Sequence, residues 1–209
     1  MIGVVTDFDA EADTWDEQPH RLERAREVAA VIRASVALSP RMSALEYGAG
    51  TGLLGRELAG DLGPMTLADA SVGMTEAAAR AISGHPAADR LRAQRLDLMT
   101  DPVPADRYDL VLSMMAMHHV SDVRQLLAAF HELLAPGGQV ALVDLDAEDG
   151  SFHDGDFDGH LGFPRDELGD WLGAAGFGDV GFRTAYTIDK VVDGEDRSYT
   201  LFLVTARRG

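Results

Sequence analysis

The segment Leu45–Gly55, LEYGAGTGLLG, constrains this chain more than any other. Gly48, Gly50 and Gly52 stand between a strand candidate, Met42–Tyr47, and a helix candidate, Leu53–Ala59. Without side chains they let the backbone turn tightly and let a ligand approach it. The helix that follows aims its free N–H groups at that ligand. An adenine cofactor is the natural candidate.

The rest of the chain repeats the strand-then-helix theme. Strands are expected at Met65–Ala68, ending at Asp69, at Leu91–Leu96, at Tyr108–Ser113 and at Gln139–Leu145. The apolar run YDLVLS suits a strand buried on both faces. Ser71 can cap a helix running to about Ser83, and Ser121 opens another that Pro136-Gly137-Gly138 stops. Pro19 suits the first turn of an N-terminal helix, with Asp16 or Gln18 as cap, and Pro40 ends it. A last helix, Pro164–Ala175, precedes two strands, Val180–Thr187 and Tyr199–Ala206, joined by a polar loop. No helix fits between those two, so they can pair antiparallel. The pattern predicts a parallel sheet wound with helices on both faces, with its ligand crevice at the carboxyl ends of the strands. One domain over 1–209 is expected, with an N-terminal lid segment and helix over 1–40 and an acidic insert over 146–164.

Composition narrows the partners. The chain has 35 acidic and 18 basic residues, a net charge of -17 and no cysteine. So acidic a surface repels phosphate backbones, which argues against nucleic acid and anionic membranes as partners. Disulfides, thiolate metal sites and cysteine nucleophiles are excluded. The acidic start MIGVVTDFDAEADTWDEQ lacks a basic-then-apolar signal, and no apolar run reaches the ~20 residues that span a bilayer. A cytoplasmic protein is expected.

The glycine loop admits two readings. Gly50, Gly52 and Gly55 satisfy G-x-G-x-x-G, the dinucleotide pattern, which alone is weak. A pyrophosphate there would be poorly served by a carboxylate, yet Glu46 ends the strand two residues before Gly48. An acid at that place suits a ligand with a cationic group, such as an amino acid's ammonium. Asp69 can accept from a ribose diol, a role common to both cofactor classes. Asp97 can accept from an adenine amino group, and the Leu98 backbone can meet the ring edge. Each acid alone has a plainer reading as a solvated loop residue or a helix cap.

Taken together, these segments resemble the class I S-adenosylmethionine-dependent methyltransferases. The likeness rests on Glu46-Tyr-Gly-Ala-Gly-Thr-Gly, Asp69-Ala-Ser-Val-Gly-Met74, Asp97-Leu98, Tyr108–His119 and Leu134-Ala-Pro-Gly-Gly138, in that order. It is nearest to the small-molecule branch that includes quinone-biosynthesis methyltransferases. The resemblance implies a Rossmann-like, doubly wound, seven-stranded sheet, mostly parallel, with an antiparallel final strand. It implies S-adenosylmethionine as cofactor and a small organic acceptor. Glu46, Gly48, Gly50, Thr51 and Gly52 would face the methionine part. Asp69 would hold the ribose, with Ala70 and Met74 beside the adenine and Asp97 and Leu98 at its edge. Ser113 and Met114 would line the floor near the sulfonium. The N-terminal segment would form a lid, with Trp15 and Arg21 toward the site.

Histidine is the usual general base near neutral pH. His119, after the fourth strand beside His118, and His153 and His160 in the acidic insert are the candidates for catalysis or acceptor contact. No metal is expected. Asp154-Gly-Asp156-Phe-Asp158-Gly159 matches the opening of a calcium loop, but its twelfth position is Arg165 where a bidentate glutamate belongs. The Asn/Asp-Pro-Pro-aromatic run of amino-methylating nucleic-acid enzymes is missing after the fourth strand. The alternatives are an NAD(P)-dependent oxidoreductase and a non-catalytic S-adenosylmethionine-binding protein.

Overall fold

The computed structural model describes residues 8–153 and 157–209. Among them, strands β1 (Ala44–Tyr47), β2 (Met65–Asp69), β3 (Leu91–Arg95), β4 (Tyr108–Met114), β5 (Leu134–Leu145), β6 (Phe177–Val192) and β7 (Glu195–Arg208) form one sheet. Its order is β3-β2-β1-β4-β5-β7-β6. β1 pairs parallel with β2 and β4, and β4 pairs parallel with β5. β7 runs antiparallel to both β5 and β6, so the one reversed strand lies inside the sheet, as expected. The helices are α1 (Phe8–Glu11), α2 (Pro19–Ser35), α3 (Leu53–Leu58), α4 (Val72–Ser83), α5 (Val123–Leu133) and α6 (Arg165–Ala174).

The period of two along the buried strands sorts the core. Leu110 and Leu112 of β4, with Leu201 and Leu203 of β7, pack with Val28 and Ile32 of α2 and Leu54 and Leu58 of α3. Val111, Phe202 and Val204 point the other way, to Leu126, Leu127 and Phe130 of α5 and Leu168 and Leu172 of α6. Strands covered on both faces must be apolar at every position, and β4 and β5 are nearly so. None of the helices among the described residues is long and apolar enough to cross a membrane.

Local chemistry sets the boundaries. Ser71 caps α4, accepting from Met74 N–H at 3.0 Å. Gly176 ends α6 at φ +96. Two expectations shift. Asp122, not Ser121, caps α5, accepting from Gln125 N–H at 2.9 Å. The polar loop expected after Thr187 is mostly strand: Asp193 (φ 52) and Gly194 (φ 83) make a two-residue turn, so β6 and β7 extend to it. Asp-Gly with both residues at positive φ matches the twist of a hairpin. β1 and β4 are neighbours whose following helices lead to different flanks, and the crevice opens where the sheet so divides.

Candidate active site

A cavity of about 780 Å³ lies at the carboxyl ends of β1, β2 and β4, beneath the N-terminal segment. The glycine loop forms one wall. Gly48 has φ +67, and a Cβ there would stand 2.2 Å from Ala116 Cβ, so only glycine fits. Gly50 donates its N–H to Asp69 Oδ2 at 2.7 Å. Gly55, in the first turn of α3, donates to Glu46 Oε2 at 2.9 Å. Two N–H groups of this strand-to-helix turn are therefore already bound to carboxyl groups of the chain itself. A dinucleotide's pyrophosphate would compete with Asp69 and Glu46 for them.

Burial sets the proton affinities. Glu46 is 1% exposed, and desolvation pushes its carboxyl up to about 8, against the lowering effects of the Gly55 N–H and Arg56. Desolvation also raises Asp69, opposed by N–H donors from Ser71 and Gly50. Glu46, Asp69, Ala70, Met74, Asp97 and Met114 all line the cavity, as do Gly48 and Gly50.

Four of the expected cofactor residues do not line it. Thr51 is buried and its hydroxyl donates to Asp16. Gly52 starts α3 with its α-carbon toward Leu67. Leu98 is buried in the core, with its N–H donated to the Tyr47 hydroxyl at 3.2 Å, and Met99 lines the cavity beside Asp97 instead. Ser113 is fully buried, and its hydroxyl has no hydrogen-bond partner among the described residues.

The histidines divide. β4 is followed by Met115 at φ 56 and then by a tight turn, Met117–His119. That turn buries His118 and presents His119 outward. His118 Nδ1 is 2.6 Å from Asp144 Oδ1. Asp144, fully buried near the end of β5, also accepts from the N–H groups of Met117 (2.9 Å) and Leu145 (2.8 Å). His119 is held well below the usual histidine range, first by desolvation and then by His118. Its ring meets Phe8 edge-on at 5.1 Å. His153 lines the same cavity, stacked 3.7 Å from Phe157. His160 does not: its Nε2 pairs with the Val120 carbonyl at 3.0 Å. Of the calcium-loop match, Asp154 and Asp156 lie outside the described residues, and Arg165 is bound to Asp146 through two 2.7 Å bonds.

The N-terminal segment is tied to the helix starts by acids. Asp9 accepts from Gly73 N–H at 2.8 Å, and Asp16 pairs with Arg56 at 2.5 Å. Trp15 thereby lies over Gly50, and the Arg21 guanidinium stacks on Trp15 at 3.4 Å. Sequence reasoning did not single out Asp144 or Arg24. Arg24 lines the cavity, with a buried Nε that has no hydrogen-bond partner among the described residues. Its signal was its position one helical turn after Arg21.

Comparison with known proteins places the chain in a family. The biotin biosynthesis bifunctional protein BioCD of Bordetella avium is 38% identical over 144 residues, which is 68% of this chain and 30% of that protein. A hybrid PKS-NRPS synthetase of Penicillium citrinum is 31% identical over 151 residues, 68% of this chain but 4% of that protein. The chain thus spans less than a third of the length of either relative. Among solved structures, the DhpI–SAH complex is 25% identical, with a TM-score of 0.71 over 97% of this chain and 93% of that one. A SAM-dependent methyltransferase from Aquifex aeolicus shares the fold at 18% identity, with a TM-score of 0.70 over 96% of this chain and 98% of that one. A family model described as a methyltransferase domain matches residues 18–180, and the chain belongs to that family.

Proposed function

We propose that this chain transfers the methyl group of S-adenosylmethionine to a small organic acceptor that enters the cavity between α2 and the His118-His119 turn. One observation carries the reading. Asp69 and Glu46 take the N–H groups of Gly50 and Gly55 and stand at the cavity, which suits a ligand with an ammonium and a diol rather than a pyrophosphate. S-adenosylmethionine is that ligand. Asp69 takes the ribose hydroxyls, Glu46 the ammonium, Met74 and Ala70 an adenine face, and Asp97 with Met99 its edge. Arg21 is placed for the methionine carboxylate. The segment through α2 acts as the lid, held shut by Asp9 and Asp16. Arg24, on the Asp144 side of α2, offers its charge to an anionic group of the acceptor.

Methyl transfer is an in-line displacement in which the sulfonium charge disperses. A carboxylate against sulfur would hold the ground state more strongly than the transition state, so the acids belong at the cofactor's periphery. Alignment in a closed cavity can supply ~7–11 kcal/mol of the barrier reduction. Calorimetric titration with S-adenosylhomocysteine, NAD and NADP tests the reading. Binding of the first alone, lost in Asp69→Ala, is expected. Preference for a nicotinamide dinucleotide overturns it.

A further inference from the structure

We propose that His118, His119 and His153 form a site for one divalent transition-metal ion of the zinc type, at the acceptor end of the same cavity. Each offers one ring nitrogen, and the three nitrogens lie within 4.8 Å of one another. All three side chains line the cavity that holds Glu46 and Asp69. The sequence reading had expected no metal and had set His153 beside His160, not beside His118.

Three imidazoles without a thiolate are a donor set for zinc and its neighbours, and catalytic zinc sites use three protein ligands with the fourth position open. A tetrahedral ion with Zn–N of ~2.0–2.1 Å holds its nitrogens about 3.3 Å apart. Closing from 4.8 Å therefore asks for a shift of roughly 1.5 Å at most. His119 is exposed and His153 half-buried, so side-chain rotation can supply it.

His118 is the fixed member. Asp144 already accepts backbone N–H groups, and the same carboxyl accepts a hydrogen bond from His118 Nδ1. That bond settles the tautomer: Nε2 carries the lone pair. A carboxylate behind a ligating imidazole is the usual support of such a site, orienting the ring and raising its basicity. Phe8 and Phe157 wall the cluster with apolar surface. The chain's net charge of -17 raises the local concentration of cations.

The role of the ion rests on the methyltransferase reading; its binding does not. A metal in this place accepts a hydroxyl or enol oxygen of the acceptor at its open position. The coordinated O–H loses its proton to solvent and the oxygen attacks the methyl carbon. The C–S bond pair passes to sulfur, leaving a neutral thioether.

The test uses the full chain, stripped with a chelator, loaded with S-adenosylhomocysteine and titrated with Zn²⁺ and Co²⁺. One equivalent is expected, with the visible absorption of tetrahedral cobalt. His119→Ala and His153→Ala should each weaken binding by more than the ~10–100-fold that a second-sphere change costs. His85→Ala, a distant histidine, should not. S-adenosylhomocysteine binding should survive in all three variants, which separates failure of the metal site from failure of the cofactor reading. Absence of stoichiometric metal, or affinity unchanged in both cluster variants, overturns the site and leaves three histidines packed as aromatic rings. Acetohydroxamate, an oxygen-donor probe, should alter the cobalt spectrum; no change overturns the open position.

Discussion

The proposed contact between Glu46 and the cofactor's ammonium makes affinity a function of pH in a way that can be worked out in advance. Its carboxyl is buried and pushed up to about 8, so below that pH the free protein holds it protonated. The groups acting on it are the Gly55 N–H and Arg56, which favour the carboxylate, and Asp69, which disfavours it. An ammonium in contact with Glu46 requires the carboxylate, so binding must release a proton. With a midpoint near 8, about a tenth of the protein is ready at pH 7 and about a hundredth at pH 6. The dissociation constant of S-adenosylhomocysteine should therefore rise about tenfold from pH 7 to pH 6, a cost of about 1.4 kcal/mol, and level off above pH 8. His119 does not contribute the slope, because its pKa is shifted downward and it is already neutral over this range. Calorimetry in two buffers of different ionisation enthalpy counts the protons released. Glu46→Gln should flatten the profile. A flat wild-type profile, or a Glu46→Gln profile with the same slope, refutes the assignment of Glu46 to the ammonium. The same shift has a stability consequence. The raised pKa favours the folded state while the group is protonated, so that contribution is complete below the unfolded value of 4.5 and fades as pH rises toward 8. Thermal melts of Glu46→Gln should lack this decline.

Other perturbations separate stability from binding. Gly48→Ala forces a Cβ against Ala116 at a left-handed φ of +67, so S-adenosylhomocysteine binding should be lost and the melting temperature should fall, by scanning fluorimetry with and without ligand. Asp16→Ala removes a partly exposed ion pair with Arg56, of ~1 kcal/mol or less, and also the acceptor of the buried Thr51 hydroxyl, worth about 1–3 kcal/mol. Its melting point should fall modestly, while ligand dissociation, read by tryptophan fluorescence in stopped flow, should quicken. Tyr47→Phe strands the buried Leu98 N–H and should cost about 1–3 kcal/mol in denaturant unfolding. Phe130→Ala removes a fully buried ring of α5 that packs edge-on against Tyr47, and should cost about 3–5 kcal/mol in denaturant unfolding.

How much of this could be read from residues alone depends on how far apart the deciding partners lie. The α4 start was legible because its cause is local: Ser71 bonds an N–H three residues on. The cavity wall was legible for a related reason. Glu46 and Asp69 end neighbouring parallel strands, and strand ends meet at one edge whatever packs around them. Thr51, Leu98 and Ser113 failed as cavity residues because their directions are set by partners elsewhere in the chain or by strand alternation. Asp16 takes the Thr51 hydroxyl and Tyr47 takes the Leu98 N–H. The alternation that sends Met114 to the cavity sends Ser113 into the sheet. The Asp193-Gly194 turn was local and legible, and was passed over because a polar stretch reads as a loop unless the dipeptide itself is weighed. The histidine cluster is the instructive case. β4 and β5 pair in register up to Met114 and Val143, so whatever follows one strand must stand beside whatever ends or follows the other. The adjacent pair His118-His119, Asp144 and His153 are separated in sequence but share that corner. Once the strand order is known, the cluster follows from topology; which nitrogen of His118 faces the cavity follows from Asp144, whose three other bonds leave it only the role of acceptor.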